Sequence, residues 1–83
     1  MNTKEHIVVV GRVVRIRRHG ESCRVRLTDT GGTLAAAEIR RSSRVALPPL
    51  GARILIRGRL RYDETHRWHT VDPVEDWREA PED

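Results

Sequence analysis

Residues 6–18 (HIVVVGRVVRIRR) carry apolar side chains on both parities: Ile7, Val8, Val9, Val10, Val13, Val14 and Ile16, interrupted by Gly11. β-Branched residues fit a pleated, half-buried surface. A strand that is apolar on both faces and holds an internal glycine is predicted to bend, so that its halves serve two sheets. His19-Gly20-Glu21-Ser22 reads as a turn. From Cys23 to Asp29 the alternation is clean, with Cys23, Val25 and Leu27 on one face and Arg24, Arg26 and Thr28 on the other. That is the period-two signature of a half-buried strand with a basic outer face. Asp29-Thr30-Gly31-Gly32 then predicts a tight hairpin.

A third strand is predicted over 33–39, through Leu34, Ala35, Ala36, Ala37 and Ile39. Alanine is uncommon in strands, and LAAAEIRR alone also fits a helix; the glycine hairpin before it favours the strand. Residues 40–51 (RRSSRVALPPLG) form an irregular connector with room for one short helical turn near Ser42 and Ser43. Pro48-Pro49 excludes a helix or central strand there. The fourth strand, 52–62, places Ile54, Ile56, Leu60 and Tyr62 inward, with a bend at Gly58. Arg53, Leu55, Arg57, Arg59 and Arg61 take its other face. A polar loop at 63–67 leads to a last strand, 68–74, closed by Pro73.

Val25, Leu27, Ile54, Ile56 and Leu60 are the expected core. Five short strands give too little sheet for a sandwich, and closure into a small barrel removes exposed edges. The expected fold is all-β, one domain, with a five-stranded barrel over about 7–74. An acidic tail, 75–83, is expected to fray at its end.

Composition narrows the function. Eighty-three residues allow one domain with a small core. No apolar run approaches the roughly 20 residues that span a bilayer. Arg12 and Arg15 interrupt the only apolar stretch near the start, which does not fit a signal peptide. A cytoplasmic location is expected. Cys23, the single cysteine, cannot form an internal disulfide and reads as a small half-buried hydrophobe.

The charge is lopsided. Residues 72–83 hold six acids (Asp72, Glu75, Asp76, Glu79, Glu82, Asp83) against Arg78, a net of −5. With the whole chain at +4, residues 1–71 carry +9. Lys4 is the sole lysine among the sixteen bases. Arginine-rich codon usage accounts for the choice of arginine but not for a net basic body. A field of one sign attracts polyanions, and guanidinium groups make forked contacts with phosphate.

Three stretches carry a family resemblance: Val10-Gly11-Arg12-Val13; Val25-Arg26-Leu27-Thr28-Asp29 with Gly31/Gly32; and Leu50-Gly51-Ala52-Arg53-Ile54-Leu55-Ile56-Arg57-Gly58. Together they resemble the OB-fold nucleic-acid-binding superfamily, nearest to the tRNA anticodon-binding type of some class II aminoacyl-tRNA synthetases and to helicase wedge domains. Val71-Asp72-Pro73-Val74 with Trp77 is similar to the closing strand of small bacterial OB-domain proteins. The resemblance covers roughly residues 7–74. It implies a five-stranded Greek-key barrel with its variable connector between the third and fourth strands. It also implies a ligand face on strands one to three, lined by Arg12, Arg15, Arg24 and Arg26. The stacking aromatic that anticodon-binding relatives place on the second strand falls at about Arg24 here, and a guanidinium plane can also stack on a base.

Further candidates follow from the pattern itself. Arg57, Arg59 and Arg61 form a second basic stripe, for ligand contact, solvation or pairing with the acidic tail. Tyr62, Arg67 and Trp68 flank the loop between strands four and five, where Trp68 either stacks on a base or caps the barrel end. Trp77 is expected to fold back as a hydrophobic plug. His66 and His69 with Asp72 nearby lack cysteines and a firm third ligand, so no metal is expected. Cys23 and the serines Ser22, Ser42 and Ser43 have no partner spacing that would activate a nucleophile. The expected function is therefore non-catalytic, with no cofactor: binding of single-stranded DNA or RNA. The rival is a protein-interaction module that docks through strand edges.

Overall fold

The computed structural model describes residues 5–28, 34–63 and 68–82. The predicted hairpin at Asp29–Gly32 and the loop residues Arg67 and His66 lie outside them. Five strands occur in order: β1 His6–His19, β2 Ser22–Thr28, β3 Leu34–Arg40, β4 Arg53–Asp63 and β5 Trp68–Glu79. They form one sheet whose hydrogen bonding runs in a ring, β1-β2-β3-β5-β4 and back to β1. The described residues contain no helix, hence none long and apolar enough to cross a membrane.

β1 is shared between two neighbours, as its apolar residues on both parities require. Its first half, His6–Arg12, pairs antiparallel with β4, and Arg12–His19 pairs with β2. A Cβ on Gly11 would sit 2.8 Å from the Thr28 carbonyl oxygen, so only glycine lets β1 cross β2 here. Gly58 does the same in β4, where a Cβ would lie 2.6 Å from Val71 Cγ1. Both expected bend positions are thus places of close backbone approach.

The ring interior holds Val13, Val25, Leu27, Ala37, Ile39, Ile54, Ile56, Val71 and Val74. Full burial of side chains such as Leu27, Ile54 and Ile56 contributes about 2 kcal/mol each. Leu60, expected among them, is only half-buried. Tyr62, expected inward, is 54% exposed, because β4 is ending there and the interior has run out. β3 is a strand, and its alanines have separate uses. Ala37 faces the interior opposite Val25 and Val71, whereas Ala36 lies on the outer side between Arg26 and Thr70. Both are fully buried, so the outer alanine is roofed by longer neighbours.

Two expectations need correction. The connector 41–52 has a turn, with Ser43 N donating to Arg40 O at 3.0 Å, but no helix. Along it Val45 and Leu47 pack on the core and Pro48 is buried. The last strand does not close at 74: residues 75–79, expected as the start of an acidic tail, are the second half of β5, paired with β4 from Arg57↔Asp76 to Ile54↔Glu79. Ala80 N continues the ladder to Arg53 O at 2.9 Å. Trp77, opposite Ile56, packs against the core and donates its Nε1–H to Ala46 O at 2.7 Å. It seals the end as a plug should, from within a strand.

Candidate functional site

On the outer side of the ring, register places arginines directly opposite one another. Arg15 faces Arg26, and Arg17 faces Arg24, across β1 and β2. Arg12 faces Arg53 across β1 and β4. Like charges in directly opposed positions destabilise a sheet, so each pair requires a neutralising partner or an external anion. The three pairs resolve this in different ways.

Arg12 and Arg53 are met by the C-terminal segment. Arg12 Nη2 donates to both Glu82 carboxylate oxygens at 2.6 Å, and its Nη1 donates to Gly51 O at 2.7 Å. Arg53 donates to Pro81 O. On the same side Arg57 grips Asp76 with two N–H donors, at 3.0 and 2.6 Å, and His6 bonds Glu75. The hydrogen bond from Arg57 holds the Asp76 carboxyl below its usual range, and that from Arg12 does the same for Glu82. The Asp76 hydrogen bond in turn raises Arg57.

Arg24 is met on the adjacent strand. Its Nη1 donates to Glu38 Oε1 at 2.8 Å, and the two side chains are only 14% and 10% exposed. Arg24 is expected from its alternation to be an exposed ligand-contact residue, and here it is largely covered. The β2–β3 register sets Glu38 directly opposite Arg24, which turns the predicted ligand arginine into half of a covered ion pair.

Arg15 and Arg17 have no acidic partner among the described residues, nor does Arg18, and all three are exposed. Arg26 stands beside Arg15, half-buried. Val14 takes no register position, because the β1–β2 pairing slips between Val13 and Arg15. That bulge leaves Arg15 and Arg17 outward and Ile16 facing Val25. Of the sequence candidates, Arg15 and Arg26 come together on this face, while Arg12 lies at its border under Glu82. Arg57 belongs to the acid-covered side, and Arg59 lies beyond it opposite His6. Tyr62 is exposed at the end of β4, and Trp68 opens β5 opposite Asp63. Arg67 lies outside the described residues. Arg17 is the addition, and the run Arg15-Ile16-Arg17 carries its signal, since the alternation restarts after Val14; Arg18, opposite Cys23, stands on the other parity beside the apolar cavity.

Toward the β3–β5 seam the outer side becomes polar and enclosed. Asp72, counted in the sequence with the C-terminal acids and near His69, is buried and bonded by Arg61 Nε at 3.1 Å and Arg40 Nη2 at 3.4 Å. A cleft of about 230 Å³ lies here, lined by His19, Ser22, Glu38, Arg40, Arg61 and Asp72. Thr70 next to it is fully buried, and its hydroxyl meets no hydrogen-bond partner among the described residues. A second, more apolar cavity of about 270 Å³ lies beside Cys23, Ile39, Val45 and Leu47. Cys23 is half-buried there as a free thiol. No protein-family model matches the chain, and no curated protein matches it.

Proposed function

We propose that the chain is a small OB-fold barrel that binds single-stranded DNA or RNA without catalysis, through the outer face of β1 and β2. The strand order β1-β2-β3-β5-β4 supports the fold assignment, being that of a five-stranded Greek-key barrel whose strands 2–3 face binds oligonucleotides. One observation carries the function. Arg15 and Arg17 stand opposite Arg26 and Arg24 on an exposed face, and neither has an acid among the described residues. The two β1 arginines, spaced along an exposed strand, fit a phosphate backbone, which supplies charge at regular intervals. Arg17 joins Arg15 and Arg26 as the contact set on this face.

The test is fluorescence anisotropy with a labelled single strand and with duplex, at two salt concentrations. The account expects tighter binding of the single strand and an affinity that falls steeply with salt. Binding of a protein partner that ignores salt, with no affinity for either nucleic acid, would favour an apolar docking module instead.

A further inference from the structure

The outward row of β1 runs Arg15, Arg17, His19, at about 7 Å per step. Its last member reaches the polar cleft beside the β3–β5 seam. The row across this end is His19 opposite Ser22 and Ser22 opposite Arg40. Inside, the one carboxylate of Asp72 holds two guanidinium groups, from Arg40 and Arg61. Glu38, the other acid, is already matched by Arg24. Counting the arginines and carboxylates alone, the cleft therefore holds one cation in surplus.

Asp72 is buried, so it acts as a fixed anchor. Arg61 uses its Nε on this anchor and Arg40 one Nη2, out of five N–H donors on each guanidinium. The remaining donors are held in place by a group that cannot move, which is the arrangement that recognises a compact oxyanion. An internal phosphate of a strand bears a single charge, whereas a phosphomonoester bears roughly −1.5 to −2 at neutral pH and has three free acceptor oxygens.

We propose that this cleft receives the terminal phosphate of a strand lying on the arginine face, with Arg40 and Arg61 as the principal donors and Ser22 and His19 at the rim. The proposal rests on the nucleic-acid reading above. It adds a preference for strand ends that the face alone does not provide.

The experiment uses the full chain and three internally labelled strands of one sequence, carrying a 5′-phosphate, a 3′-phosphate or neither. One phosphorylated strand is expected to bind at least fivefold more tightly than the bare strand. Arg40→Gln should remove that advantage while leaving the bare strand within twofold. Arg40 is largely exposed and Asp72 keeps Arg61, so the variant should fold, and a melting curve checks it. Equal affinity for all three strands overturns the cleft and leaves the arginine face standing. If no strand binds at all, the nucleic-acid reading fails, and inorganic phosphate then decides the cleft. Saturable shifts of the Arg40 and Arg61 guanidinium resonances, lost in Arg40→Gln, retain it as an anion site; unshifted resonances refute it.

Discussion

Two regions of the outer surface both carry arginines in cross-strand pairs, and the protein treats them in opposite ways. On the side of β4 and the first half of β1, Arg12, Arg53 and Arg57 are each taken by the segment that follows Val74. On the side of β2 and the second half of β1, Arg15 and Arg17 face solvent with no acid among the described residues. The sequence-level charge split of +9 against −5 is thus a spatial arrangement. The C-terminal acids lie over one arginine face, while Arg15 and Arg17 on the other meet no acid among the described residues. Arginine abundance alone would not distinguish the two sides, so the second side is where an external polyanion is expected to bind.

The largest expected effect separates the bare arginines from the covered one between them. Arg24→Ala should destabilise the fold by about 3 kcal/mol, because it leaves Glu38 buried without its counter-charge. Chemical denaturation measures this, and Arg17→Ala, directly opposite, should change stability little. If the two variants unfold together, Arg24 is a surface residue after all.

Next comes binding. Arg15→Ala with Arg17→Ala should weaken single-strand affinity at least tenfold, about 1.4 kcal/mol, with an unchanged melting curve. Arg57→Ala on the covered side should change affinity less than twofold. Equal losses on the two sides would erase the distinction between them.

A smaller effect tests whether the acids restrain their arginines. Asp76→Asn with Glu82→Gln frees Arg57 and Arg12, and affinity at low salt should rise two- to fourfold, since exposed ion pairs contribute little individually. The gain should vanish near 0.5 M salt, where the Debye length is about 4 Å. No gain at low salt would make the segment structural only.

The smallest effect is in pH. Asp76 and Glu82 have folded-state pKa values depressed below their ordinary values of 3.8 and 4.5. Their clamps are therefore fully present above the ordinary carboxylate range and are lost as pH falls through the depressed values. NMR titration of the two carboxyl carbons should show both midpoints below those ordinary values, and Arg57→Ala should return Asp76 to its own.

Much of this fold was legible because alternation and glycine placement are local signals. Val25/Leu27 and Ile54/Ile56 announced their strands, and Gly11 and Gly58 announced the crossings. The second half of β5 was not legible. Val74 and Trp77 both face the interior three positions apart, since the β4–β5 register slips next to Gly58, and the intervening acids look like a solvated tail. Their structural use is cross-strand, in the Arg57–Asp76 pair, which no single-strand period records. The site was legible in part for the same reason. Arg15 and Arg26 followed from alternation, Arg17 was lost at the Val14 bulge, and Arg24 was assigned to ligand because Glu38 lies fourteen residues away across a hairpin.

The central claim, that the outer arginine face of β1 and β2 binds a nucleic-acid backbone, is tested most directly by the salt dependence of single-strand affinity. For three or four neutralised phosphates the slope of log K against log salt should be about −2 to −3, at about −0.7 per phosphate. In the Arg15→Ala, Arg17→Ala chain the slope should shrink by about 1.4. A wild-type slope near zero, or the same slope in the variant, would contradict the account.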